Sequence, residues 1–194
     1  MNSSQKAESD LIFNLYNDSR TVYRLNDIAL LLGESNFVSL NKRLNYFVRT
    51  GKLQNPRKGI YTKPIYKVEE LACRIFMPSY ISLEYVLQQS GVVFQYSSQI
   101  SSVSYLSRSV DINDKTFVFR KIRSAILVDT TGLIRQTNGV NIATPERALL
   151  DTMYLNGDTF FDNLNLINKE LLYKLVPLYN SNKLTERINQ LLPL

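Results

Sequence analysis

The chain has 194 residues, 44% of them apolar and 21% charged, which suits one large globular domain or two small ones. It has no histidine and one cysteine, Cys73, which removes Ser-His and Cys-His nucleophile pairs, the usual zinc ligand sets and any internal disulfide. The longest apolar run is residues 28–32, and the first ten residues lack a signal-peptide core, so a cytoplasmic protein with no membrane partner is expected.

The net charge of +6 is uneven: residues 1–68 hold 11 Lys and Arg against 5 Asp and Glu, whereas residues 69–194 hold 12 against 12. Two units are therefore expected, 1–68 and 69–194, the first facing a polyanion. Ala7, Leu11, Ile12 and Leu15 keep helical spacing behind the candidate caps Ser3 and Ser4. Val22 and Tyr23 read as a short strand. Leu25, Ile28, Ala29 and Leu32 line a second helix that Gly33 stops. A third helix starts near Asn36 or Phe37 and buries Leu40, Leu44, Phe47 and Val48 on an arc of about 100°. Its opposite face carries Lys42, Asn45, Tyr46 and Arg49, with Ser39 and Arg43 on the edge. After Gly51, KLQN, PRKG and IYTK read as strand, turn and strand.

This order is that of a winged helix-turn-helix. From Ser35 to Val68 there is no carboxylate but eight cations: Lys42, Arg43, Arg49, Lys52, Arg57, Lys58, Lys63 and Lys67. Phosphates of duplex DNA would supply the missing charge, with the third helix in a groove and Arg57 and Lys58 at the hairpin tip.

A helix over VEELACRIF follows, with Cys73 as a core residue, and then a helix in SYISLEYVLQQSG with Ser82 as N-cap and Gly91 as stop. Within residues 92–142, VVFQYSS, SSVSYLS, TFVFRKI, AILVDTT and LIRQTNGVNI read as four or five short strands, mostly antiparallel. Thr144, Pro145 and Glu146 open a helix burying Ala148, Leu149, Leu150 and Met153, and the tail is helical. The expected fold class is α+β: an N-terminal winged helix-turn-helix, then a mixed domain with a mostly antiparallel sheet and C-terminal helices. Phosphate-loop, dinucleotide and nucleophile-elbow motifs are missing, and no acidic pair has metal spacing, so neither catalysis nor a cofactor or metal is expected. A nuclease using scattered carboxylates such as Asp129 and Asp151 is the enzymatic alternative.

Three stretches together, RTGKLQNPRKGIYTK, PSYISLEYVLQQSGV and VNIATPERALLD (the last preceded by FVFRKI), resemble the AbiEi-type antitoxins and their transcriptional-regulator relatives. The resemblance covers roughly residues 20–157, and the tail beyond Asp158 matches nothing. It implies an antitoxin that represses its own operon and opposes a nucleotidyltransferase-like toxin encoded next door. The expected partners are double-stranded operator DNA, that toxin and a second copy of the chain on the DNA. It also implies DNA contact by Ser39, Lys42, Arg43 and Tyr46 and by Arg57 and Lys58 in the wing. Arg120, Lys121 and Arg147 match basic positions of the family, where a structural role is an equal reading. The alternative is a regulator without a toxin, its second domain serving dimerisation or ligand sensing.

Overall fold

Short elements punctuated by turn residues give this chain nine helices and nine strands among the described residues of a computed structural model, which covers residues 3–193 with side chains from Asp10. The expected caps Ser3 and Ser4 and the expected core residue Ala7 lie outside the described side chains. The fold is α+β with mixed sheets, and the chain divides into two compact units: residues 1–75 with 137–139, and residues 76–136 with 140–194. The first boundary falls at Ile75 rather than Val68, because the helix expected to open the second unit belongs to the first.

In the first unit α1 (Ser3–Asn17), β1 (Val22–Arg24), α2 (Leu25–Leu32), α3 (Phe37–Arg49), β2 (Gln54–Arg57), β3 (Ile60–Thr62) and α4 (Val68–Ile75) follow in order. The strands form an antiparallel sheet, β1-β3-β2. Leu11, Leu15, Tyr23, Ile28, Leu40, Leu44, Phe47 and Tyr61 are among the residues of one shared core. The hairpin turn is shorter than expected. Arg57 pairs with Ile60, so only Lys58 and Gly59 form the turn, while Pro56 and Arg57 belong to β2. Asn55 fixes this register, its Nδ2 donating to the carbonyls of Arg57 (3.0 Å) and Ile60 (2.7 Å). Pro56 is tolerated because β2 is an edge strand with a register shift. Gly59 takes φ +77°, which its missing Cβ permits.

α4 is held by a buried acid that charge patterning did not single out. The Glu70 carboxylate accepts from the backbone N–H of Thr21 (2.9 Å) and Val22 (3.2 Å), from Thr21 Oγ1 (2.7 Å) and from Asn138 Nδ2 (3.3 Å). Cys73 is buried on the same helix, as expected of a core residue.

The second unit is built on a six-stranded sheet, β6-β7-β5-β4-β9-β8, from β4 (Ser79–Ile81), β5 (Ile100–Ser104), β6 (Arg108–Ile112), β7 (Lys115–Lys121), β8 (Leu133–Arg135) and β9 (Asn141–Ala143). Three of its pairings are antiparallel, and two, β4 with β9 and β5 with β7, are parallel. No crossover helix links β5 to β7. The chain passes through β6, which pairs on the far side of β7, so short links still produce a parallel neighbour. The β6–β7 turn puts Asn113 and Asp114 at φ 49° and 60°, the two positive values of a type I′ hairpin.

The helices are α5 (Leu83–Gln89), α6 (Ser124–Val128), α7 (Pro145–Asn156), α8 (Lys169–Leu175) and α9 (Asn182–Leu191), with short 3-10 turns at Leu164–Leu166 and Val176–Tyr179. Two stretches expected as strands are not: VVFQYSS is irregular, and AILVDTT opens as α6. A short apolar run such as Ile126-Leu127 fits either geometry, and both side chains are buried on the helix. α7 starts as expected, Thr144 accepting from the Arg147 N–H at 3.3 Å with Pro145 in the first turn. Ser82 stands at the N-cap of α5 without a side-chain cap, because its hydroxyl donates to Asp151.

That bond belongs to the polar centre of the second unit. Arg147, Asp151, Tyr179 and Ser82 have no exposed surface and Tyr80 has 1%. Asp151 accepts from Tyr179 Oη (2.6 Å), Ser82 Oγ (2.7 Å) and Tyr80 Oη (3.0 Å). Arg147 donates from Nη1 to the Thr131 carbonyl (2.7 Å) and from Nη2 to the Ile126 carbonyl (2.8 Å) and Tyr80 Oη (3.1 Å). Its Nε lies 3.5 Å from Asp151 Oδ1, a charge contact without hydrogen-bond alignment. Burial pushes the Asp151 carboxyl above the ordinary range, opposed by Arg147 and the three hydroxyls. Burial and the Asp151 charge likewise hold both phenols up, so they remain neutral donors. Close packing protects the cluster: a Cβ on Gly132 would meet Leu175 Cδ1 at 2.9 Å and Arg147 Cβ at 3.2 Å.

Candidate nucleic-acid interface

The core stripe of α3 decides which of its side chains face outward. Leu40, Leu44 and Phe47 are buried, which turns Val38, Lys42, Asn45, Tyr46 and Arg49 to solvent. Asn36 caps the helix by accepting from the Ser39 N–H at 3.0 Å, so Ser39 sits half-buried in the first turn. Tyr46 is 41% exposed and its ring meets Phe47 edge-on at 5.5 Å, a stable aromatic rim for the cationic face.

The eight cations of the acid-free window do not act alike. Arg43 turns back to Glu34, the acid bordering the window, and forms an ion pair with it. A base contact by Arg43 therefore requires breaking that half-buried pair. Lys63 donates to the carbonyls of Asp18 (2.7 Å) and Tyr16 (3.2 Å) at the end of α1. Lys52 lies over the Phe47 ring at 5.6 Å. Lys42, Arg49 and Lys58 are exposed and make no ion pair or side-chain hydrogen bond among the described residues. Lys58 forms the hairpin turn, with half-buried Arg57 beside it at the end of β2. The structure thus gathers Lys42, Tyr46 and Arg49 on one helix face and Arg57 and Lys58 at the hairpin, and directs Arg43 inward.

Beside the hairpin lies a recess of about 330 Å³ that also takes in Arg24 and Arg74. Both stand outside the acid-free window, and no spacing in the sequence ties them to the hairpin. Among the other basic positions singled out, Arg147 is a core residue, Arg120 donates to Asn156 Oδ1 at 2.9 Å, and Lys121 is exposed on β7. Asp129 accepts from the Thr131 N–H, and the Thr131 hydroxyl together with that N–H holds its carboxyl below the ordinary range, while Asp151 is enclosed. Among the described residues no three His, Cys, Asp or Glu side chains stand together as a metal site, and no helix is long and apolar enough to cross a membrane.

The class defined at this point is an α+β protein of two units, the first with an outward cationic helix and hairpin. Its fold is similar to the crystal structure of the RV2827C protein from Mycobacterium tuberculosis, with a TM-score of 0.54 and 14% identity over 96% of this chain and 76% of that one. At that identity the likeness shows the fold alone. No family model and no curated protein sequence matches the chain.

Proposed function

We propose that the first unit is a winged helix-turn-helix that binds duplex DNA, with α3 in the major groove and the β2–β3 hairpin as a wing on the backbone. The observation that carries this reading is the coincidence of two exposed cationic elements, Lys42 and Arg49 on α3 and Lys58 on the hairpin turn, in a chain segment without a carboxylate. Lys42 sits in the first half of α3, where side chains of a recognition helix reach base edges, whereas a turn lysine suits phosphate. After selection of a preferred site from random duplexes, Lys42→Ala is expected to lose about 1–3 kcal/mol on that site and little on scrambled DNA. Lys58→Ala is expected to weaken both about equally. Equal losses for Lys42→Ala on the two duplexes would contradict the assignment.

For the whole chain we propose an antitoxin and autorepressor of a toxin–antitoxin operon, its second unit opposing a nucleotidyltransferase-like toxin. This reading rests on the resemblance of residues 20–157 to the AbiEi-type family. A non-catalytic chain without cofactor or metal is part of the same proposal. Co-expression with the product of an adjacent nucleotidyltransferase gene is expected to restore growth. Operator binding without rescue would leave a regulator alone.

A further inference from the structure

The recess beside the hairpin is lined by Arg24, Asn26, Arg57, Lys58, Arg74 and Ile75, among others, and no carboxylate lines it. Four cations thus share one opening of about 330 Å³. An anion entering the recess would meet a lining whose charged residues are all cations.

The framework that holds them together is rigid. Arg24 pairs with Ile60 in the β1–β3 register, and the Leu25 N–H donates to the Gly59 carbonyl at 3.1 Å, which fixes the turn against the start of α2. Arg24 also reaches α4, its Nε donating to the Arg74 carbonyl at 2.7 Å and its Nη2 to the Ile75 carbonyl at 3.3 Å. Asp27 accepts from the Arg24 N–H at 3.0 Å and does not line the recess. These bonds tie β1, the hairpin turn and α4 together around the recess.

We infer that this recess is a phosphate seat: it takes a backbone phosphodiester of the duplex, flanking the groove occupied by α3, with Arg74 and Arg24 acting beside the wing residues Arg57 and Lys58. The inference rests on the DNA-binding reading and adds a contact to it. A guanidinium suits a phosphate through its N–H donors, and an all-cationic lining favours an anionic phosphodiester over a neutral ligand.

The test uses the full chain and a duplex titrated over several salt concentrations. Giving up one phosphate should reduce the magnitude of the log–log salt slope by about 0.9. Arg74→Gln is expected to show that reduction on every sequence, while Arg74→Lys, which keeps the charge, stays close to the wild-type slope. Lys58→Gln at the exposed turn is expected to give the same reduction, and Arg74→Gln combined with it should reduce the slope by about 1.8, twice as much, which separates the seat from the wing contact alone. A wild-type slope for Arg74→Gln, with duplex still bound, would overturn the seat and leave the DNA reading standing, whatever Lys58→Gln shows. If the wild-type protein binds no duplex at low salt, the DNA reading itself fails. Calorimetric binding of inorganic phosphate, abolished in Arg74→Gln, would then assign the recess to a free phosphate and overturn the duplex proposal.

Discussion

Arg147→Met is expected to destabilise the second unit by about 3–5 kcal/mol, the range for removing one partner of a buried ion pair. Methionine roughly fills the volume, so the loss is electrostatic. Asp151 would keep its three hydroxyl donors but lose its only neighbouring cation in the cluster, and the carbonyls of Thr131 and Ile126 would lose their donors. Asp151→Asn is expected to cost less, since the amide oxygen still accepts from Tyr179 or Ser82. The double variant should cost less than the sum of the two, with a coupling of about 0.5–3 kcal/mol, because the second change removes the orphaned charge left by the first. Thermal and denaturant melts of the four proteins measure this directly. Strict additivity would show that the cluster is not a coupled unit. Duplex binding by folded Arg147→Met protein is expected to persist, since the cluster lies wholly in the second unit.

Glu70→Ala is expected to cost the first unit about 2–5 kcal/mol. The carboxylate accepts two backbone N–H groups, and each buried donor left without an acceptor carries a penalty of about 1–3 kcal/mol. Glu70→Gln should be milder, because one oxygen remains to accept while the amide N–H group faces donors. For a domain of this size a loss of 1 kcal/mol lowers the melting temperature by about 4–8 °C, so the alanine variant should melt well below the parent. A fragment ending at Val68 is therefore expected to be less stable: it lacks Glu70, and the start of β1 loses its anchor. A fragment ending at Ile75 keeps the carboxylate and is expected to be the more stable of the two. Equal melting of both fragments would refute the anchoring role.

What the sequence conveyed and what it hid divide along a physical line. Elements with local punctuation were legible: α2 ends at Gly33, α7 begins at Thr144-Pro145, and the periodicity of Leu40, Leu44 and Phe47 orients α3. So was the edge position of Arg43, although not its partner, since Glu34 lies nine residues away across the loop between α2 and α3. The choice between helix and strand at Ile126-Leu127 was not legible, because two adjacent apolar residues carry no period. Nor was the parallel pairing of β5 and β7, which depends on where β6 docks. The buried cluster was half visible. Arg147 and Asp151 stand at helical spacing in a conspicuous motif, but only the packing of Tyr80 and Tyr179 shows that they point inward. Arg24 and Arg74 were invisible for the same reason, being fifty residues apart and joined only through α4 and β1.

The proposal that the cationic α3 face and hairpin bind duplex DNA is tested most directly by the salt dependence of duplex binding by the full chain. With roughly five to seven phosphates contacted at ~0.9 each, the log–log slope should lie between about −4.5 and −6. A slope near zero, or no binding to any duplex at about 50 mM salt, would contradict the account.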